Sequence, residues 1–423
     1  MQRLTTSAYL MLGANLVSNI GNGMRTLVAG IALYNQSGSA MDFGIVIVLE
    51  YIVLFVVNVL AGPWADRYNP KYTMLVVDLL RGITVCLVCT QLNSGYLFFW
   101  IALLTVVVQV GKPFYRSSTF VLEPALVKPE QLTRYNGFAV AAMQLGQLVG
   151  ISLAGLVLSL SGVQAALMIT GLSFLLSALS IAFVIVPSTI EYASHHEGRG
   201  LLKWFHQLVQ DWVDVAKFMR RNKGLTTLTT LGVSDYLTPS FLNIFLAILV
   251  VQRFEGAPYA LSLLDGSFAL GAMLSGLFAD RLVASVGPRL TSIIGITGQG
   301  LMFIGIASGG PGEWAVAATF FIGVMNSLSY MGIYTTLQLR IKGPFKGRIS
   351  LVRSLIATLL ACIFIPPVTH LSDSSLTLAL IAAGSVSFGF SLVVLIIPSI
   401  ILFPDDVIAK TKTSEKEPGS NPL

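Results

Sequence analysis

"AGPWADRYNPKY", Ala61 to Tyr72, follows a long apolar run and places Asp66, Arg67 and Lys71 in one short turn. A second copy, "SGLFADRLVASVGPR", runs from Ser275 to Arg289 and repeats the spacing as Gly276, Asp280 and Arg281. Gly62 and Gly276 lie about half of the 423-residue chain apart, so the copies hold matching places in its two halves. An internal repeat of this kind is characteristic of many transporter folds. Glycine lets two helices approach closely, and an Asp-Arg pair at helix ends can bridge neighbouring helices. Such a pair can act as a latch on one conformational state.

Composition says what surrounds the motif. The chain is 54% hydrophobic and 11% charged, with mean hydropathy +0.78. Soluble domains carry about 25% charged residues, so this is a multi-pass membrane protein. The net charge of +6 is read as membrane topology, and nucleic acid is excluded as a partner. No Gly-x-Ser-x-Gly, Walker or His-Glu-x-x-His pattern appears, which argues against an enzyme and against direct ATP coupling. No cofactor or metal is expected. Cys86, Cys89 and Cys362 all lie in apolar runs and read as small packing residues, although Cys86-x-x-Cys89 has metal or redox spacing. The first apolar run is too long for a cleaved signal peptide.

A spanning helix needs about 20 largely apolar residues. Runs of that kind occupy 7–33, 41–64, 72–92, 97–118, 137–160, 164–187, 226–252, 259–282, 289–308, 314–337, 349–371 and 376–402, about twelve spans. Lys and Arg alternate between the loops. Arg67, Lys71, Lys128, Arg134, Arg281, Arg289, Lys342, Lys346 and Arg348 fall on one side, with Arg199, Lys203, Lys217, Arg220, Arg221 and Lys223 of the central loop and Lys410, Lys412 and Lys416 of the tail; the other side carries only Arg253. The positive-inside rule places both termini in the cytoplasm of a bacterial-type inner membrane. The expected organisation is an N-terminal six-helix bundle (1–187), a cytoplasmic linker (188–224), a C-terminal six-helix bundle (225–403) and a disordered tail (404–423). Within the linker, Leu201, Trp204, Phe205, Leu208, Trp212, Val215 and Met219 share one helical face, as expected of a helix lying on the inner membrane surface or binding a partner.

These features resemble the major facilitator superfamily over nearly the whole chain. That family carries Gly-x-x-x-Asp-Arg/Lys-x-Gly-Arg/Lys-Arg/Lys between its second and third spans. Gly62, Asp66, Arg67 and Lys71 match it, while Asn69 stands where glycine is usual and Pro70 where a basic residue is usual. The family's antiporter motif is matched in the fifth span by Gly137, Gly146, Gly150 and Gly155, with Ile151 in place of proline and Ala154 in place of a glycine; the same glycines also suit a generic close-packed helix interface. "LVSNIGNGM" (16–24), "YNQSGSAMDFGIV" (34–46), "VDLLRG" (77–82) and "FKGRISLVRSL" (345–355) resemble the branch of enterobactin-exporter-like and macrolide-efflux-like proteins. That branch often has an acid in the first span where this chain has Asn22, so the resemblance implies that another group carries the proton.

Ionisable residues inside spans are functional candidates, because placing one there costs about 2.5–3.5 kcal/mol or more. Arg25 shares a face of the first span with Asn15, Ser18, Asn19 and Asn22. Lys112 and Arg116 are one turn apart in the fourth span. The resemblance puts the first, fourth, seventh and tenth spans around a central cavity, where Arg25, Asn22, Asn19, Lys112 and Arg116 would favour an anionic ligand. Lys112 and Arg116 are alternatively read as reaching toward the membrane surface. Glu50 and Asp235 are the candidates for proton coupling. Asp78 and Arg81 read as a structural pair, Asp265 as near the outer surface, and His370 as structural. The expected activity is export of a small anionic metabolite, specifically a siderophore, against proton entry, by a monomer whose partners are its substrate, membrane lipid and protons. Multidrug or macrolide efflux is the alternative within transport; a lipid flippase or a non-transporting sensor is the alternative outside it.

Overall fold

In lipid every backbone N–H and C=O must be satisfied within the chain, and apolar runs of this length meet that demand as helices. A computed structural model describes residues 4–37, 40–92, 96–187, 201–255, 257–341, 345–397 and 402. The tail expected to be disordered (404–423) and the first part of the linker (188–200) lie outside the described residues, as does Lys342. Among the described residues the regular structure is helical: α1 (Thr6–Ser37), α2 (Ala40–Arg67), α3 (Pro70–Thr90), α4 (Leu97–Leu126), α5 (Leu132–Ala182), α6 (Leu201–Arg221), α7 (Lys223–Leu231), α8 (Ser234–Phe254), α9 (Pro258–Ala307), α10 (Gly312–Arg340), α11 (Lys346–Ser374) and α12 (Leu376–Ile396).

Two of these helices are double-length. α5 contains Gly162 at φ 76° and α9 contains Gly287 at φ 84°, conformations that glycine adopts without a Cβ penalty. Each glycine separates two spans, and Pro288 then opens the second span of its pair. With those two divisions, with α7 and α8 taken as one path and α6 set apart, the described helices supply the twelve spans expected.

The chain forms two compact units. The first comprises Met1–Val127, Ala142–Val215 and Lys342–Leu355, and the second Lys128–Ala141, Ala216–Ile341 and Ile356–Leu423. α5 therefore starts in the second unit and continues in the first, and α11 does the reverse. The core of the first unit joins Met24, Val28, Val85, Val88, Ile101, Leu104, Val108 and Phe174. That of the second joins Phe241, Phe245, Leu249, Phe303, Ile322 and Leu380. Leu80, Ile83 and Leu87 of α3 and Leu172, Leu176 and Leu179 of α5 are exposed apolar faces, as a lipid-facing surface requires.

Candidate functional site

In the first unit, charge is concentrated between α1, α2, α3 and α4. Arg25 is 3% exposed and donates from Nη2 to Glu50 Oε1 at 3.0 Å. Lys112 of α4 is half-buried and within electrostatic reach of Arg25, Glu50, Arg81 and Arg116. Arg116 is exposed. Deeper still, Arg81 donates from Nη1 to Asp78 Oδ1 at 3.1 Å. Its guanidinium lies over the rings of Tyr115 and Phe174, at 5.5 and 5.8 Å. Ser177 of α5 donates to Asp78 Oδ2 at 2.6 Å. Gly111 makes room for this arrangement, since a Cβ there would come within 2.7 Å of Val77 and 3.0 Å of Arg81. On the polar stripe of α1, Asn19 donates to the backbone and side-chain oxygens of Asn15 at 2.8 and 2.6 Å, and Asn22 is half-buried.

The Asp-Arg motif sits where α2 ends. Asp66 is 3% exposed. Its two carboxylate oxygens accept the backbone N–H groups of Gly347 at 2.7 Å and Arg348 at 3.3 Å, at the start of α11. Those amides are unsatisfied by the helix itself, and a carboxylate at a helix N-terminus also meets the positive end of its dipole. The Arg348 side chain approaches Asp66 at 3.0 Å. Arg67, the next residue, turns to another partner and donates to Asp211 Oδ2 of α6 at 2.6 Å. Arg348 Nη1 lies 3.3 Å from Asp211 Oδ1, so three ion pairs and the Asp66–Arg67 peptide link close a square of two acids and two arginines. Burial pushes the Asp66 carboxyl up to about 7, although Arg348 and the two backbone donors pull it down. The departures from the family motif have a local function: Asn69 Oδ1 accepts the Lys71 N–H and caps α3, and Pro70 occupies its first turn.

The second copy is organised differently. Asp280 accepts the neighbouring Arg281 N–H at 2.9 Å, and Arg281 is exposed over Phe278. In the same unit, Asn136 at the start of α5 donates to Thr335 Oγ1 at 2.9 Å and to Gln338 Oε1 at 2.7 Å on α10. Gly137 packs on Gly276; a Cβ on Gly137 would fall 2.0 Å from the Gly276 carbonyl. In the first unit Gly146 and Gly150 pack on α1, where a Cβ would meet the carbonyls of Leu16 at 2.5 Å and Ile20 at 2.2 Å, whereas Gly155 faces open space. Asp235 is buried in α8 and accepts from Ser329 Oγ at 2.8 Å. Asp265 and His370 are exposed. Among the described residues no three of His, Cys, Asp and Glu gather as metal ligands, and the three cysteines are free.

Two participants are not among the site residues that the sequence points to: Arg348, a loop cation within "FKGRISLVRSL", and Asp211, which lies off the apolar face of the linker helix. The apolar face of that helix was expected to meet the membrane surface. Instead Leu208 and Val215 are buried within the protein, and Trp212 donates from Nε1 to the Val59 carbonyl of α2 at 2.9 Å.

Comparison with known proteins extends this picture. A model of the Major Facilitator Superfamily matches residues 11–352. Macrolide efflux protein A of Streptococcus pyogenes is 23% identical over 349 residues, 81% of this chain and 83% of that protein. Multidrug efflux pump Tap of Mycobacterium bovis is 24% identical over 310 residues, 71% of this chain and 71% of that protein. A crystal structure of a bacterial homologue of the iron transporter ferroportin in an outward-facing state superposes with TM-score 0.73 at 18% identity, covering 92% of this chain and 100% of that chain.

Proposed function

The chain belongs to the Major Facilitator Superfamily, and from that premise we propose that it exports a small organic anion, a siderophore, by proton-coupled alternating access. The observation that supports the substrate class is the gathering of cations around Lys112, which lies within electrostatic reach of Arg25, Arg81 and Arg116 as well as of Glu50. Lys112 is half-buried on α4. A cationic ligand is repelled there, and a carboxylate is attracted more strongly the less water surrounds it.

Glu50 is the resting counter-ion of Arg25. An arriving carboxylate competes for that guanidinium, frees Glu50 to take up a proton, and biases the protein toward its other state. Asp235, hydrogen-bonded to Ser329, is the second candidate for proton exchange. Lys and Arg placement puts the Asp66 end of α2 in the cytoplasm, so the square around Asp66 is an inner gate that holds the outward-open state. Macrolide or multidrug efflux is the second reading, supported by the names of the relatives.

The test compares a deletion strain and a strain carrying Arg25→Gln with wild type. Loss of secreted siderophore in both, with intracellular accumulation, is the expected result. Unchanged secretion together with macrolide sensitivity of the deletion would move the assignment to drug efflux.

A further inference from the structure

We propose that α6 is a working component of this gate, with Asp211 as its positioning residue: docking of the linker helix and closure of the Asp66 square are one event. The inference rests on reading the Asp66 end of α2 as a gate, and adds to it an element outside the spans.

The two charges of the motif serve different masters. Asp66 holds the first turn of α11 through two backbone amides. Arg67 instead donates to Asp211 of α6. Asp211 in turn faces Arg348, the residue that also approaches Asp66, and its backbone oxygen lies 3.5 Å from Arg348 Nη1. The Asp211 side chain is 10% exposed and that of Arg348 7%, so water cannot substitute for either partner. With Asp211 in place, two carboxylates balance two guanidinium groups. Without it, two guanidinium groups share one carboxylate, and removing one member of a buried charge set costs more than the set itself contributes. α6 has a second anchor, the Trp212 to Val59 hydrogen bond, which carries no charge. The first turn of α11 therefore cannot leave Asp66 without also parting Arg348 from Asp211, and α6 cannot lift away without stranding Arg67 and Arg348.

The test uses the full-length protein with Cys86, Cys89 and Cys362 replaced and a reporter, Ser350→Cys, in the first turns of α11. Ser350 is 7% exposed. Inside-out vesicles are treated with a membrane-impermeant thiol reagent, and folding is checked by monodispersity in detergent. Asp211→Asn should raise the labelling rate about tenfold, the loss of one charge-assisted hydrogen bond. Asp211→Glu should return it close to the starting rate, which a helix that merely packs would not do. Trp212→Phe, which leaves all four charges in place, should raise labelling less than Asp211→Asn and keeps the test alive if Asp211→Asn fails to fold. Asp66→Asn separates the two readings. Fast labelling in Asp66→Asn with wild-type labelling in Asp211→Asn overturns the role of α6 and keeps the gate. Wild-type labelling in Asp66→Asn overturns the gate itself.

Discussion

Asp66 and Gly347 lie 281 positions apart and are joined by a 2.7 Å hydrogen bond from the glycine N–H to the carboxylate. The bond ties the end of one helix to the beginning of another that sits near the far end of the chain. Its acceptor is the motif residue that the sequence repeats at Asp280, and only the first copy makes such a bond among the described residues.

Asp66→Asn should reduce transport by about tenfold or more at equal expression, since one amide oxygen cannot accept both backbone donors and offers Arg348 no charge. Asp280→Asn, at a carboxylate that accepts its neighbour's N–H, should have a much smaller effect. Uptake of substrate into inside-out vesicles measures both, and equal losses would contradict the asymmetry.

Proton coupling is tested at Glu50 and Asp235. Glu50→Gln should abolish export driven by a pH gradient in vesicles and leave Arg25 without its counter-ion, which lowers the apparent substrate KM. Asp235→Asn keeps an acceptor for Ser329 and should lower the coupled rate with little change in KM. Gradient-driven export retained in both variants would place the proton carrier elsewhere.

The glycines of α5 offer an internal control on packing. Gly150→Ala drives a methyl to 2.2 Å from the Ile20 carbonyl and should cost about 1–3 kcal/mol of stability. Gly155→Ala meets nothing within 4 Å and should be neutral or slightly stabilising, because alanine favours helix over glycine by about 1 kcal/mol. Thermal unfolding in detergent distinguishes the two; equal shifts would mean that the glycine spacing reports composition alone.

Hydropathy revealed the spans because lipid imposes one length and one polarity on every crossing helix. The breaks at Gly162 and Gly287 were anticipated as loops for the same reason, although the backbone turns there in a single residue. The Arg25 stripe was visible as spacing along one helix. The partners of the motif were not. Arg67 and Asp211 are separated by 144 positions, and nothing local distinguishes an aspartate that meets an arginine from one that meets water. The amphipathic face of α6 was legible, but amphipathicity says only that a helix buries one side. It does not say whether lipid or protein covers that side, and here Trp212 and Asp211 anchor it to protein.

α5 and α11 each cross from one compact unit to the other, and this has a consequence for how the protein can be divided. A cut in the linker yields two polypeptides, but neither contains a whole unit: the first lacks at least residues 342–355 and the second at least 128–141. Each fragment expressed alone should be short-lived. Co-expressed, they should protect one another from proteolysis, because each supplies the helix start that the other is missing.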